Sequence, residues 1–360
     1  MRAHHLPPVI LLSLTLTACI GCRSLPAEGG SVVVMSYNLQ TLFDPVDQGG
    51  EYAEFRVSSG AWDESRYRAR LAALAASVLS ASGRGRLGDG PDILVVEEAE
   101  NQRVLQDLAA AAGGYEHVIA SPDEEAVVAC GVLSRYPVVA ARAHRIRPPE
   151  GGPSSVPRYA LEVELSVDGH RLVIIATHWK SKLGGAQETE PERQAAAVFI
   201  DALVASRLAA DPALALVVAG DFNENPDEFE RVERAWPTAL MPAEAGAGPW
   251  LLITGSPARA RDAARQLAAP KASPLVLFCP WDGAGGYSYR FEGDPERIDQ
   301  LLLSPALVAE EGGALRFESF SAEPPQFAVD ASGTPLAYNP RLNSGYSDHL
   351  PIRIRIAVIP

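Results

Sequence analysis

Leu214-Ala215-Leu216-Val217-Val218-Ala219-Gly220-Asp221-Phe222-Asn223 is the stretch on which the fold turns. Six apolar residues in succession suit a strand buried on both faces, as in a sheet covered by other layers. The glycine breaks the run, and an acid and an amide stand just past it. The same plan recurs. Apolar runs at 32–35, 93–96 and 172–176 lead into Ser36-Tyr37-Asn38, into Glu97-Glu98-Ala99-Glu100-Asn101, and into Thr177-His178-Trp179-Lys180-Ser181-Lys182. Arg297-Ile298-Asp299-Gln300-Leu301-Leu302 and Ser347-Asp348-His349-Leu350-Pro351 are two further blocks of this kind. Loops after strands are where a rigid scaffold presents chemistry.

Helical patterns lie between the runs. Asp63 is placed to cap a helix with Tyr67, Leu71, Leu74 and Val78 on one face, and Asn101 to cap another that ends at Gly113-Gly114. Pro191 marks the expected start of a third, and Ser256-Pro257 of a fourth that Pro270 ends. Tyr159, Leu161, Val163 and Leu165 alternate with Glu162 and Glu164, which predicts a strand with one wet face. Ile352, Ile354, Ile356 and Val358 alternate with Arg353 and Arg355 as a half-buried closing strand. Residues 239–286 are rich in proline and glycine and read as an insertion. The fold class expected is α/β, a four-layer sandwich of two packed mixed β-sheets flanked by helices.

The chain has 360 residues, 47% of them hydrophobic and 21% charged, a globular balance that excludes disorder and a multi-span membrane protein. Its net charge of -14 means that any phosphate binding must be local. Arg2 precedes an apolar stretch at 9–18 that is too short to span a bilayer. Leu16-Thr17-Ala18-Cys19 resembles a bacterial lipobox, with Cys22 the alternative acceptor. The expected organisation is a lipoprotein signal peptide at 1–18, an acylated Cys19 and tether at 19–30, and one catalytic domain at 31–360. That implies a chain exported to the bacterial cell envelope and held at a membrane by lipid on Cys19. Cys130 and Cys279 are either bridged or two buried free thiols, and no zinc spacing is present.

Each block alone has a plain structural reading, as a turn or a capped helix. Together they place Glu98, Asp221, Asp299, Asp348, Asn38, Asn223, His178 and His349 at strand ends. Carboxylates and amides without thiols suit Mg²⁺, Mn²⁺ or Ca²⁺ rather than a closed zinc site. Only three lysines occur in the chain, and Lys180 and Lys182 directly follow His178. Two cations beside an acidic cluster suit an anion held against a metal.

The blocks, in this order, resemble the endonuclease/exonuclease/phosphatase superfamily, which includes deoxyribonucleases, exonuclease III-like enzymes, sphingomyelinases and inositol polyphosphate 5-phosphatases. Gly131-Val132-Leu133-Ser134-Arg135-Tyr136-Pro137 is a supporting match, and the likeness runs from Val32 to the end of the chain. The resemblance implies that Asn38 and Glu98 hold a divalent metal, Mg²⁺ first, with Asp348 near it. It implies that Asp221 and Asn223 orient water and a phosphoryl oxygen, that Asp299 pairs with His349, and that His178 reaches the phosphate from the other side. Either Asp221 or His349 is the base, His349 being favoured with Asp221 orienting the water. Lys180, Lys182 and Arg193, with Arg135, are expected to bind phosphate. The family often has glutamine where Glu97 stands, and adjacent strand residues face opposite ways, so only Glu98 of the pair is expected at the metal. Thr177-His178-Trp179-Lys180 resembles the deoxyribonuclease and sphingomyelinase branch. The expected activity is hydrolysis of a phosphodiester, DNA or RNA, by a monomeric nuclease. A phospholipase C of the sphingomyelinase type is the alternative, for which 250–253 or 278–281 would enter a lipid surface. A silent binding module is the third reading, weakened because no catalytic block is missing.

Overall fold

The computed structural model describes residues 30–83, 90–122, 127–147, 149, 158–267 and 274–359. The signal peptide, Cys19 and the tether up to residue 29 lie outside these, as does Pro270. No helix among the described residues is long and apolar enough to cross a membrane.

The first four strands are β1 (Ser31–Leu42), β2 (Ile93–Ala99), β3 (His117–Ala120) and β4 (Ala129–Ser134). Then come β5 (Val138–Ile146), β6 (Arg158–Val167), β7 (His170–Thr177) and β8 (Ala215–Asp221). Short strands β9 (Leu240–Pro242), β10 (Leu251–Thr254) and β11 (Val276–Phe278) precede a hairpin of β12 (Tyr289–Phe291) and β13 (Asp294–Glu296). The chain closes through β14 (Asp299–Leu303), β15 (Leu315–Ser321) and β16 (Ile352–Val358). The helices are α1 (Glu64–Ala81), α2 (Gln102–Ala112), α3 (Ala186–Ala210), α4 (Glu228–Arg231) and α5 (Pro257–Leu267).

Two large mixed sheets form. One has the order β15-β16-β1-β2-β4-β3, the other β5-β6-β7-β8-β14-β11-β10-β9. First and last strands meet antiparallel, with Ser36 opposite Ile352, while β1 and β2 run parallel. The largest apolar cluster joins Val32, Val34, Val95 and Ile354 of one sheet to Leu161, Ile174, Val217 and Leu301 of the other, and includes Ala197, Ile200 and Val204 of α3. A second cluster packs Leu74 and Val78 of α1 and Val104 and Leu108 of α2 on Met35, Tyr37 and Leu94. A strand in the middle of this arrangement has both faces dry, which is why the runs that open the blocks do not alternate.

Asp63 caps α1 by accepting from the Arg66 amide, and Asn101 caps α2 by accepting from the Arg103 and Val104 amides. Pro191 does not start α3. The helix begins at Ala186, after Gly185 at φ 113°, and Pro191 sits inside it. The Thr189 hydroxyl donates to the Gly185 carbonyl at 2.7 Å and the Arg193 guanidinium to the Ala186 carbonyl at 2.6 Å. These bonds secure the first turn, so the helix holds although Pro191 lacks an N–H. The outer face of β6 is not uniformly wet either. Glu162 is buried there, with Arg207 of α3 at 2.5 Å and His144 of β5 at 2.8 Å.

The insertion at 239–286 extends the second sheet. β10, α5 and β11 make a parallel crossover, and β9 pairs parallel to β10. Leu251, Leu252, Ile253, Phe278 and Trp281 are core residues within it, so neither stretch offered for lipid insertion is free to leave the protein. Cys130 and Cys279 are buried free thiols.

Candidate active site

The site lies where β1, β2, β7, β8 and β14 end, closed by the loop before β16. Strand β2 breaks its pairing after Val96, and Glu98 takes φ 61° at the irregularity. The two neighbouring acids consequently part. Glu98 turns to the cleft and accepts from the Asn38 amide nitrogen at 3.1 Å, while Glu97 is fully buried, 3.4 Å from the Ser36 hydroxyl. Burial, with Asp299 and Asp221 nearby, holds the Glu97 carboxyl well above the usual range, and its Oε2 has no partner.

Asp221 is the centre. Its Oδ1 accepts the Asn223 backbone N–H at 2.8 Å, and its Oδ2 accepts the Asn38 side chain at 3.0 Å. Asn223 adopts φ 50°, which asparagine tolerates better than most residues, and its amide donates to the Trp179 carbonyl at 3.3 Å. Gly220 precedes at φ 142°; a Cβ there would stand 1.8 Å from the Thr177 carbonyl oxygen. Trp179 and Phe222 stack with centroids 4.3 Å apart, and the Trp179 amide donates to the Asp221 carbonyl at 2.9 Å. Glycine and stacked rings thus fix the ends of β7 and β8 against each other.

Two imidazoles flank Asp221 Oδ2, His178 Nε2 at 3.6 Å and His349 Nε2 at 3.8 Å. They differ in state. His349 Nδ1 lies 2.9 Å from Asp299 Oδ2. Burial alone would lower its pKa, but Asp299 and Asp221 outweigh burial and hold the ring well above its ordinary value. His178 Nδ1 lies 3.1 Å from the Arg158 guanidinium. Arginine only donates, so Nδ1 is the acceptor and the ring proton is on Nε2, facing Asp221. Burial, then Arg158 and His349, push His178 well below the usual histidine range. Burial likewise raises Asp221, opposed by His349. The cleft therefore holds a neutral imidazole donor on one side of an acid and an imidazolium on the other.

Asp348 follows on the closing loop, held by its backbone N–H to Gln40 Oε1 at 3.0 Å, while the Ser347 hydroxyl donates to the Asn38 carbonyl at 2.7 Å. Burial and the Asp348 charge both raise Glu98. An amide bonded to one carboxylate, with a second carboxylate whose charge acts on the first, is an oxygen donor set with surplus negative charge. Asn38, Glu98 and Asp348 accordingly fit a hard divalent cation. Asp221, Asp299 and His349 also bring ligand atoms within 4.8 Å of one another. The bond between His349 and Asp299 makes that trio better suited to holding a proton.

The four phosphate-binding cations expected from sequence do not gather into a phosphate site here, although the Lys180 charge acts on His178. Arg193 is buried and spent on Glu190 at 2.6 Å and Glu224 at 2.9 Å. Lys182 is held by Glu228 at 2.7 Å, and Lys180 folds back onto the carbonyls of Ser181 and Leu183. Arg135 bonds the Pro91 carbonyl and lies over the Tyr115 ring. Each is taken up by nearer acids, carbonyls or rings. The cation at the site is Arg158, which sequence reading passed over because it sits at the head of a strand with no motif around it. Tyr289 was also missed; its ring lies 4.8 Å from the His349 ring, tilted 37°. So was Arg70, buried in α1, which bonds the carbonyls of Leu39 and Tyr346 and joins β1 to the closing loop.

Two mixed sheets in a helix-flanked sandwich, with acids and imidazoles at converging strand ends, define a phosphoester hydrolase class. Residues 33–235 match the Endonuclease/Exonuclease/phosphatase family, and the chain belongs to it. No curated protein matches the sequence. Among solved structures, a family protein from Bacteroides thetaiotaomicron aligns with a TM-score of 0.55 and 14% identity, over 92% of this chain and 99% of that one. The mannosyl-6-phosphatase of the same bacterium aligns at 0.52 and 14% identity, over 90% and 99%. D. rerio TDP2 complexed with a single-strand DNA product aligns at 0.50 and 14% identity, over 91% and 98%. At these identities the likeness is one of fold.

Proposed function

We propose that this chain is a divalent-metal-dependent phosphodiester hydrolase acting on nucleic acid, an envelope-anchored nuclease carried on a lipid at Cys19. The observation that carries the chemistry is the pair of unlike histidines across Asp221. A phosphodiester is anionic, and its transition state gathers further negative charge. Neutral His178 donates from Nε2 to a phosphoryl oxygen. His349, held charged by Asp299, presents Nε2 to the same centre and gives its proton to the leaving ester oxygen as that P–O bond breaks. Asp221 Oδ2 lies between them and accepts the proton of the attacking water, with Asn38 and Asn223 fixing the carboxylate plane. Glu98 and Asp348, with Asn38, would hold Mg²⁺ or Mn²⁺, which supplies positive charge against the phosphate.

The nuclease reading is supported by Thr177-His178-Trp179-Lys180 and by the D. rerio neighbour's DNA product. The mannosyl-6-phosphatase neighbour supports a rival, a phosphate monoester. The test is to incubate protein lacking residues 1–22 with plasmid DNA, RNA, sphingomyelin, bis(4-nitrophenyl) phosphate and a sugar phosphate, with Mg²⁺, Mn²⁺ or EDTA. Cleavage of DNA or RNA that EDTA abolishes is expected. Turnover of the sugar phosphate or sphingomyelin alone overturns the nuclease reading. The anchor is checked separately: intact protein should enter the detergent phase, and Cys19→Ala should not.

A further inference from the structure

Strand β5 is an edge strand of the second sheet, with β9 at the other edge. It pairs antiparallel with β6 so that Ile146 lies opposite Arg158, the residue whose guanidinium meets His178. The C-terminal end of the edge thus adjoins the site, and the strand leads away from it. Residues 138–147 hold Arg142, Arg145, Arg147 and His144 and no acid. Arg142 and Arg147 are exposed.

Several exposed arginines elsewhere are matched to acids three or four positions away: Arg68 with Glu64, Arg231 with Asp227, Arg234 with Glu230 and Arg265 with Asp262. Arg142 and Arg147 have no ion pair among the described residues. The acid opposite Arg142 on β6, Glu162, is bound by Arg207 and His144, and the next, Glu164, by Arg171. On a chain of net charge -14 this is a local reversal of sign that the neighbouring acids do not cancel.

We propose that the β5 edge, through Arg142 and Arg147, binds the backbone of a nucleic-acid strand whose scissile phosphate lies beside Arg158 and His178. This rests on the phosphodiesterase reading and adds the length of its substrate. Arg142 lies on β5 and Arg147 one residue past its end. At a strand rise of about 3.4 Å per residue they stand roughly 17 Å apart, and alternation turns them to opposite faces of the edge, so a strand lying along the edge itself meets one from each side. A lone phosphate or a sugar phosphate does not reach both; a polymer of repeating phosphates does. A membrane surface would call for apolar insertion beside the cations, and the edge offers Val139 alone among large exposed apolar side chains.

The test uses the double variant Arg142→Glu/Arg147→Glu, with Arg265→Glu/Arg316→Glu as a control of equal charge change elsewhere on the surface. In EDTA, anisotropy of a labelled oligothymidylate of about twenty nucleotides should show affinity about tenfold weaker or more for the first variant, and a salt slope smaller by about 1.4. In Mg²⁺, its KM for the oligonucleotide should rise while kcat/KM for bis(4-nitrophenyl) phosphate stays within about twofold. Wild-type affinity in the first variant, an equal loss in the control, or loss of binding to phosphatidylglycerol vesicles instead of the oligonucleotide overturns the proposal. Should wild-type protein hydrolyse neither substrate, the phosphodiesterase reading fails, and the binding measurement in EDTA still decides the track.

Discussion

Asp299→Asn changes one oxygen to nitrogen and removes the charge that holds His349. Nδ1 and Oδ2 are 2.9 Å apart, and both residues are buried. With the two charges spread over ring and carboxylate, about 4 Å apart, an effective dielectric constant near 20 gives an attraction of ~4 kcal/mol. Without it the ring's pKa should fall, because the Asp299 charge is the largest influence raising it against burial. The imidazolium that the pair favours in wild type should then hold its proton less well. General acid–base contributions of this kind are typically ~10²–10⁴-fold, and kcat/KM for bis(4-nitrophenyl) phosphate should fall by that much at neutral pH. The pH profile gives the sharper readout. Wild-type activity should rise as Asp221, raised by burial, loses its proton, and decline as His349 loses its own. In the variant the alkaline decline moves to lower pH. Stability has a matching sign. His349 is raised on folding, so the pair's contribution is full below about pH 6.5 and is lost as pH rises through the folded value. Urea denaturation in EDTA should therefore show the gap between wild type and variant closing on the alkaline side. A folded variant with wild-type kcat/KM and an unmoved pH profile would refute the assignment of the proton to this pair.

Arg158→Ala should raise KM and let His178 titrate nearer its ordinary value, so activity is lost earlier as pH falls; an unaltered acid limb would separate the two residues. Arg193→Met leaves Glu190 and Glu224 buried without their cation and should cost about 3–5 kcal/mol in urea denaturation, yet leave kcat/KM of the folded protein intact. A selective rise in KM would instead restore Arg193 as a phosphate ligand. Gly220→Ala sets a methyl 1.8 Å from the Thr177 oxygen at φ 142° and should destabilise by at least about 3 kcal/mol. An unchanged denaturation midpoint would mean that β7 and β8 do not approach so closely.

Much of the fold was legible because its central strands are dry on both sides and announce themselves as unbroken apolar runs. The cluster was legible for a related reason: Asn38, Glu98 and Asp221 sit at or just past such a run, and Asp299 and His349 just ahead of one, where a side chain leaves the core. The cations were not. Lys182 and Arg193 look free in a linear chain, and only the fold shows Glu228, Glu190 and Glu224 waiting for them. Arg158 gave no signal because its role depends on the register of β6 with β7, which opposes Ala160 to Thr177 and so sets Arg158 beside His178. Pro191 misled because proline favours a first helical turn, and the hydroxyl and guanidinium bonds that let the helix start earlier come from Thr189 and Arg193.

The Ser347 hydroxyl reaches the carbonyl of Asn38 across 309 positions of chain, and β16 is the strand that brings it there. No half of this molecule is therefore a weaker version of the whole. A chain that stops ahead of Ser347 lacks that bond, β16, Asp348 and His349, and with them part of the site. The site is complete only once β16 has paired with β1.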